Sequence, residues 1–325
     1  MRPAFSVIFL TTLIGAGQGL FLALFTAESY AAFDLLPAIA PGFLAAGSLL
    51  ALLLLITGLG ASFFHLGHPE RAWRSAAQWR TSWLSREVIA LPAFSAIVAL
   101  YGLVHFSGAN PTLGMLPSGA PIKVSAVLGS LGTLLAFLLF ICTAMIYACL
   151  RFLREWHTPL TVINYTLLGG ASGFTLAAAL AAQLAPERTG FFAGWAVIIT
   201  LMGLVGRGAS LVRNRRLKPR STLQTAIGIK HPRIVQKTQG AMGGSFNTRE
   251  FFHGKSVFFL RRIQWIVVTC VFLVPAVLLA AGVWGSGIAV LAQAFAIQYL
   301  GLLAERWLFF AQANHPQNLY YQAVP

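Results

Sequence analysis

Residues 63–88, FFHLGHPERAWRSAAQWRTSWLSREV, hold the densest group of side chains that could exchange protons or bind a polar ligand. They contain six charged side chains, two histidines and three tryptophans, in a chain of which only 10% is charged. His65 and Glu87 stand near the two ends of this stretch. Both side-chain types donate and accept protons in sites that work near neutral pH, and the arginines between them are permanent hydrogen-bond donors.

Such a set meets the chemical needs of a quinone ring held at the edge of a membrane. The ring requires donors for its carbonyl oxygens, a group that exchanges protons, an apolar slot for its tail and a path to water. His65, Glu87 and either Arg71 or Arg74 could supply the polar part, and Arg80 is added for its proximity. The competing interpretation is an interfacial anchor, with tryptophans at headgroup level and arginines on phospholipid.

The rest of the sequence is dominated by apolar stretches long enough to cross a membrane. Hydrophobic residues make up 57% of the 325 positions, and the mean hydropathy is +0.75. An apolar run of about 20 residues spans the hydrocarbon core as a helix, so these values predict an all-α, polytopic bundle in one membrane domain, 1–325. The eight predicted transmembrane helices cover residues 4–28, 42–65, 86–106, 122–151, 158–185, 190–212, 262–284 and 287–311.

The distribution of basic residues predicts that both termini are cytoplasmic. Lys and Arg are retained in cytoplasmic loops. With a cytoplasmic N-terminus, all of the 23 basic residues except Lys123 and Arg188 lie on the cytoplasmic side or at the helix ends next to it. The net charge of +15 is therefore explained by topology and does not indicate nucleic-acid binding.

Two polar segments separate the apolar runs on the predicted cytoplasmic side. Residues 66–85 are predicted to lie in the membrane interface, with a short helix that starts at Pro69 and has Arg71 and Arg74 on its polar face. Residues 213–261 form a long basic loop, which is a candidate docking surface because it is longer than a passive connection needs. The part of it that reads VRNRRLKPR could also contact anionic membrane lipid.

Ionisable residues inside the predicted spans form a second group of functional candidates. Glu305 and Arg306 fall in the last turns of the eighth span, on the same side as His65. Glu305 is a candidate for a proton path. Arg207 lies near the cytoplasmic end of the sixth span, and its long side chain is expected to extend to the membrane surface.

The sequence predicts no metal ligand and no catalytic residue in this chain. Cys142, Cys149 and Cys270 all lie inside predicted spans, and no CxxC pair is present to hold zinc or an iron–sulfur cluster. A haem b bound by two histidines is disfavoured, because His105 is predicted to lie on the opposite membrane face from His65.

The segment HLGHPERAW, followed by LSREV, resembles the membrane-anchor subunits of the dimethyl sulfoxide reductase family of molybdenum enzymes. Members of that family read H-L-G-x-P-x-R-A, with a glutamate at the start of the next helix. The eight-span layout is similar over essentially the whole chain, whereas the motif match covers 63–88 and, weakly, GLLAERWLFF near the C-terminus. His65, Arg71 and Glu87 stand at the positions of the family's quinol-site pattern.

This resemblance implies a subunit of a complex in the bacterial cytoplasmic (inner) membrane. Such a subunit anchors a four-cluster iron–sulfur subunit and a molybdopterin catalytic subunit, which carry the metal groups, and it exchanges electrons with ubiquinone or menaquinone. In exported members of the family the motif side faces the periplasm, whereas the charge distribution here places it in the cytoplasm. With this inverted orientation, the chain resembles the anchors of cytoplasm-facing sulfite-oxidising enzymes, which deliver electrons from sulfite to quinone.

Three alternatives remain open at the level of the sequence. A dimethyl sulfoxide reductase anchor would oxidise menaquinol and would run the electrons in the other direction. A structural anchor would hold the partner subunits without any quinone chemistry. A transporter would need inverted repeats and broken helices that meet near the midplane with a charged substrate site, and this pattern is weak here.

Overall fold

The computed structural model describes residues 1–115, 121–218, 222–235, 251–283, 287–316 and 318. Within these residues, eight helical segments are long and apolar enough to cross a membrane, which confirms the predicted all-α bundle of eight spans. They are α1 (Phe5–Ala32), α2 (Pro41–Ser62), α3 (Trp83–Ser107), α4 (Val124–Ala148), α5 (Pro159–Leu184), α6 (Thr189–Arg215), the combined α8 (Val257–Val267) and α9 (Val274–Val283), and α10 (Ile288–Ala311).

Shorter elements occupy the connections between these spans. A π-helical turn joins α8 to α9, and the antiparallel strands β1 and β2 form a hairpin before α4. The shorter elements are the 3-10 turns Phe63–His65, Pro69–Gln78 and Pro186–Arg188, the strands β1 (Thr112–Met115) and β2 (Pro121–Lys123), the helix α7 (Leu223–Ile227) and the π turn Val268–Leu273.

Several helix ends differ from the predicted bounds by a few residues, for identifiable reasons. Helix α3 begins at Trp83, because the Ser82 side chain caps it by accepting a hydrogen bond from the Ser85 backbone N–H at 3.3 Å. Helix α4 begins at Val124, since the residues before it pair with β1. Hydropathy does not detect a capping hydroxyl or a short hairpin.

The predicted loop 213–261 is shorter in the structure. Helix α6 continues to Arg215, and α8 begins at Val257, where Ser256 accepts a capping hydrogen bond from the Phe259 N–H at 3.3 Å. The short helix α7 lies between them. The parts of this predicted loop at 219–221 and 236–250 lie outside the described residues.

Helices α1 and α5 form the centre of the bundle, and the other spans pack around them. Their backbones approach closely because glycines face each other at the crossing. A side-chain carbon added at Gly173 would collide with the backbone of Gly19 and Leu20, and one added at Gly19 would collide with the carbonyl of Gly169. Small residues at helix crossings allow this close packing within membranes, where van der Waals contact replaces the hydrophobic effect.

Contacts between distant segments define two ends of the bundle. At one end, the Met1 amino group donates to the Ala313 carbonyl at 2.8 Å, and Arg154 Nη1 donates to the Lys218 carbonyl at 2.7 Å. At the other end, Arg188 Nη2 donates to the Pro37 carbonyl at 3.1 Å. We call the first of these the basic face, because it carries most of the arginines and lysines. Its assignment to the cytoplasm stays a prediction.

Candidate functional site

The polar stretch between α2 and α3 folds as a 3-10 helix over Pro69–Gln78, so the short helix predicted from Pro69 is present with 3-10 geometry. Hydrogen bonds fix this segment to the first turn of α3. Ser85 Oγ donates to the Ser75 carbonyl at 2.5 Å, and Arg86 Nε donates to the Trp79 carbonyl at 2.9 Å. The segment therefore has a defined position beside α3, and its lipid contacts stay a prediction.

Four of the predicted site residues lie in the polar stretch or directly before it, and all of them are exposed: His65, Arg71, Arg74 and Arg80. Arg71 Nε is 3.6 Å from Glu70 Oε1, whereas the Arg74 and Arg80 guanidiniums lie 5.5 and 5.2 Å from the ring centroids of neighbouring tryptophans. These contacts are weak and solvent-exposed, so they leave the hydrogen-bond donors accessible to a ligand at the surface.

Glu87 occupies a different environment, because its side chain points into the bundle and the residue is only 7% exposed. The Thr143 hydroxyl of α4 donates to Glu87 Oε1 at 2.5 Å. The carboxyl group also lines a cavity between α1, α3, α4, α5 and α10, which we call the inner cavity. Its volume is about 20 Å³. A volume of roughly 10–15 Å³ is enough for one water, so this cavity accommodates water and is too small for a quinone ring.

His65 and Glu87 do not form one compact group. No hydrogen bond or ion pair joins them in the described part of the chain, and His65 is absent from the lining of the inner cavity. The sequence places them at the ends of successive spans, where they could meet. In the structure His65 ends the 3-10 turn after α2 and is exposed, whereas Glu87 faces α4. Their roles stay predictions.

Glu305 lies in α10 and forms a second buried polar group in the half of the bundle next to the basic face. It is 1% exposed and contacts two guanidiniums: Arg207 Nε lies 2.8 Å from Glu305 Oε1, and Arg306 Nε lies 3.0 Å from Glu305 Oε2. The expectation that Arg207 extends to the membrane surface is wrong, since this residue is only 3% exposed. A carboxylate within contact distance compensates its charge and lowers the free-energy penalty of its burial.

The Arg306 guanidinium also packs on aromatic side chains. Its central carbon lies 3.7 Å from the ring centroid of Tyr165, in α5, and 5.4 Å from that of Phe309. Cation–π contacts of this kind stabilise the charge of a buried guanidinium. Arg306 is therefore held in place both by a carboxylate and by an aromatic ring.

A second cavity, which we call the outer cavity, lies on the other side of Tyr165 and Arg306. Its volume is about 10 Å³, close to the space of a single water, and Glu155, Arg207 and Glu305 also line it. Glu155 lies in the connection between α4 and α5 and is half-buried. Burial raises the pKa of its carboxyl group, because a low-dielectric environment disfavours the charged form.

Three of the residues in this region were not identified from the sequence: Thr143, Glu155 and Tyr165. Thr143 is 56 positions away from the residue it contacts, so no local pattern joins them. Arg306 is recognised in the sequence as an ionisable residue inside a span, but its contacts with Glu305 and Tyr165 were not predicted.

A further buried polar group lies at the end of the bundle opposite the basic face. Glu28 of α1 accepts hydrogen bonds from the Tyr101 hydroxyl at 2.6 Å and the Ser125 hydroxyl at 2.5 Å, and His105 Nε2 lies 3.5 Å from its Oε1. These contacts join α1, α3 and α4. In the described residues, no group of three or more His, Cys, Asp or Glu side chains is arranged to hold a metal ion.

Eight candidate spans, with buried carboxyl groups near one end and an exposed Arg/Trp segment beside them, indicate a polytopic membrane protein. The chain belongs to the family of DMSO reductase anchor subunits (DmsC), which matches residues 2–230. It is similar to a sulfite dehydrogenase subunit of Allochromatium vinosum, with 57% identity over 326 residues that cover 100% of both chains. The resemblance seen in residues 63–88 is therefore confirmed.

Proposed function

We propose that this chain is the quinone-reactive membrane subunit of a sulfite-oxidising complex. The observation that carries the proposal is the full-length identity of 57% with a subunit of sulfite dehydrogenase. As a member of an anchor-subunit family, the chain would hold a molybdopterin catalytic subunit and a four-cluster iron–sulfur subunit on its basic face, which we infer to be cytoplasmic. The metal groups belong to those partners.

The reduction of quinone to quinol takes up two electrons and two protons. The oxidation of sulfite with water to sulfate releases two electrons and two protons, so the two half-reactions balance. His65 and Arg71 are the residues of this chain that would hold the ring. Both are exposed, and Phe64 next to them is 87% exposed, which supplies apolar surface for the ring and tail. Arginine keeps its charge and donates hydrogen bonds, so Arg71 binds a carbonyl oxygen, while His65 can also exchange a proton.

Glu87 would act as a proton donor or acceptor through water. The inner cavity beside its carboxyl group fits water but not a ring, so direct contact with quinone is not required for this role. A carboxyl group can act as a general acid or base through one intervening water. Arg74 and Arg80 remain candidates for the rim of the binding site, because both are exposed and beside tryptophans.

The reverse direction of electron flow is the second candidate function. The family is described as the anchor subunit of DMSO reductase, and in such a complex this chain would take electrons from menaquinol. His65, Arg71 and Glu87 would bind the ring and exchange protons in both directions, because the same groups serve the forward and the reverse reaction. Comparing sulfite oxidation with dimethyl sulfoxide reduction by the isolated complex separates the two.

The test of the proposed function compares two activities of the same membrane complex. We expect His65→Ala and Glu87→Gln to lower quinone-coupled turnover by about 10²-fold, the range of general acid–base catalysis. Activity of the catalytic subunit with an artificial dye should stay nearly unchanged. The matched controls are His68→Ala, an exposed histidine in the same segment, and Glu187→Gln, an exposed glutamate at the opposite end of the bundle.

Two results would contradict the proposal. An equal loss of quinone and dye activity would assign these residues to assembly, and unchanged quinone turnover in both variants would favour a structural anchor. Arg71→Ala should raise the quinone KM with little change in kcat, because its role is uniform binding of the ring. Wild-type quinone kinetics in that variant would exclude Arg71 from the site.

A further inference from the structure

Five carboxyl or guanidinium side chains line the two cavities in the half of the bundle next to the basic face. Glu87 and Arg306 line the inner cavity, and Arg306 also lines the outer cavity together with Glu155, Arg207 and Glu305. Tyr165 contributes to both cavities. The two spaces therefore adjoin at Tyr165 and Arg306, and together they extend from the α4–α5 connection to the carboxyl group of Glu87.

Taken alone, these five side chains have no net charge only when one carboxyl group is protonated. It contains three carboxyl groups and two guanidiniums, and arginine stays protonated in proteins. Net charge is costly to bury in a low-dielectric interior, so the neutral state with a single protonated carboxyl is favoured. Glu305 contacts both guanidiniums, at 2.8 and 3.0 Å, and supplies one of the two compensating charges. The proton consequently belongs to Glu87 or to Glu155.

We propose that Glu155 and Glu87 share one proton, which passes between them through water in the outer and inner cavities. Glu155 is the entry point at the basic face, and Glu87 is the inner end of the route. The inference rests on the proposed function and extends it, because it names how a proton reaches the carboxyl group that serves quinone. Transfer keeps the group neutral throughout, since one carboxyl loses the proton that the other gains.

Tyr165 and Arg306 are positioning residues at the junction of the cavities. The Arg306 guanidinium lies 3.7 Å from the Tyr165 ring centroid, and its Nε lies 3.0 Å from Glu305 Oε2. These contacts hold both side chains at the junction, where they line both cavities. The guanidinium charges do not repel the proton, because carboxylates compensate them in the neutral state.

Other ionisable groups face the two glutamates and are common to all variants. Around Glu87 they are Arg86, Cys142, Tyr147, Tyr165 and Arg306. Glu155 faces the Met1 amino group, whose pKa burial lowers to about 6, and Arg213, which donates to the Arg154 carbonyl at 3.0 Å. Burial raises the pKa of Glu155, which is the direction that favours its protonated form.

Charge balance predicts opposite effects for two substitutions. In Glu155→Gln, the two guanidiniums are balanced by Glu305 and an ionised Glu87, so Glu87 should lose its proton at a lower pH. In Arg306→Gln, Arg207 and Glu305 balance each other, so Glu87 should keep its proton to a higher pH. A change of one neighbouring charge shifts such a titration by about one pH unit or more.

Infrared difference spectroscopy of the membrane complex measures these shifts directly. The carboxyl band that disappears in Glu87→Gln reports the protonation of Glu87, and its midpoint is followed against pH in each variant. We expect a shift of about one pH unit downwards in Glu155→Gln and upwards in Arg306→Gln, with no shift in the control Glu187→Gln. If Arg306→Gln does not fold, Arg207→Gln replaces it in every comparison, and here too the midpoint should move upwards, because Arg306 and Glu305 then balance each other.

The proposal is overturned if Glu87→Gln removes no carboxyl band, if Glu155→Gln leaves the midpoint unchanged, or if Glu155→Gln and Arg306→Gln shift it in the same direction. This measurement involves no quinone. If Glu155 and Glu87 do not share a proton, the infrared measurement shows it independently of the proposed function. The quinone and dye activities test that function separately.

Discussion

Thr143 Oγ1 donates a hydrogen bond to Glu87 Oε1 across 2.5 Å, and this bond joins helix α4 to the buried carboxyl group of α3. A hydroxyl can donate to a carboxylate but contributes less to a carboxylic acid, so the bond favours the ionised form. If Glu87 exchanges a proton as we propose, this threonine should affect the pH at which it does so. It also fixes the orientation of the carboxyl group towards the inner cavity.

Thr143→Val should move the pH dependence of quinone-coupled turnover. The valine keeps the size of the side chain and removes the donor, and a hydrogen bond to a charged group contributes about 1.5–3 kcal/mol. We expect the limb of the pH profile that depends on Glu87 to shift upwards by about one unit or more. Thr143→Ser should restore the wild-type profile. Thr133→Val, in the same helix, is the control, because Thr133 donates to the Gly129 carbonyl. A profile identical to wild type would contradict this role of Thr143.

Gly173→Ala should destabilise the bundle at its centre. The added methyl group would collide with the backbone of Gly19 and Leu20, which cannot move away as a flexible side chain can. Overpacking of this kind costs about 1–3 kcal/mol. Thermal unfolding of the purified complex measures the loss as a lower melting temperature. The control is Gly194→Ala in α6, where a methyl group meets no atom within 4 Å. Equal stability of the two variants would exclude a tight α1–α5 crossing.

The spans and the site differ in how far the sequence could predict them. Each span is a local property, because hydropathy and helix length are read within one segment, and for that reason the sequence predicts all eight. Residues 63–88 stand out because their polarity departs from the surrounding composition. In contrast, the contact of Thr143 with Glu87 joins two helices, and no periodicity within either helix indicates it.

The wrong expectation for Arg207 has the same physical origin. A long basic side chain near a helix end extends to the membrane surface unless a buried partner compensates its charge. That partner, Glu305, belongs to a helix much later in the chain, and the pairing depends on how α6 and α10 pack. Charged residues inside spans can be recognised from the sequence, but their pairing requires the tertiary structure.

Reporter fusions test the orientation of the bundle. Fusions after residues 36, 112 and 188 should report the outside, and fusions after 76, 155 and 235 the cytoplasm, because Lys and Arg are retained on the cytoplasmic side. Fusions after 286 and 320, which lie outside the described residues, should report the outside and the cytoplasm respectively. A cytoplasmic signal after residue 112 would reverse the orientation.

Deleting residues 240–254 should release the partner subunits from the membrane without unfolding the anchor. Most of this segment, 240–250, lies outside the described residues, and 251–254 precede α8. A connection between spans contributes little to the contacts between helices, so the bundle should persist. Fractionation of membranes, followed by detection of each subunit, measures the release. Replacing 240–250 by a Gly/Ser segment of equal length separates the effect of the sequence from that of the length.

The isolated membrane complex can also be used to determine the direction of electron transfer and the side of the membrane on which the catalytic subunit lies. If the basic face is cytoplasmic, as its Lys and Arg residues predict, the partner subunits should carry no export signals. The 57% identity with a sulfite dehydrogenase subunit predicts sulfite as the preferred electron donor. We expect the wild-type complex to reduce quinone with sulfite faster than it reduces dimethyl sulfoxide with quinol. A fully attached, quinone-active complex after the deletion would exclude docking at this segment. A catalytic subunit with a twin-arginine signal, facing the periplasm, would overturn both the orientation and the preference for sulfite.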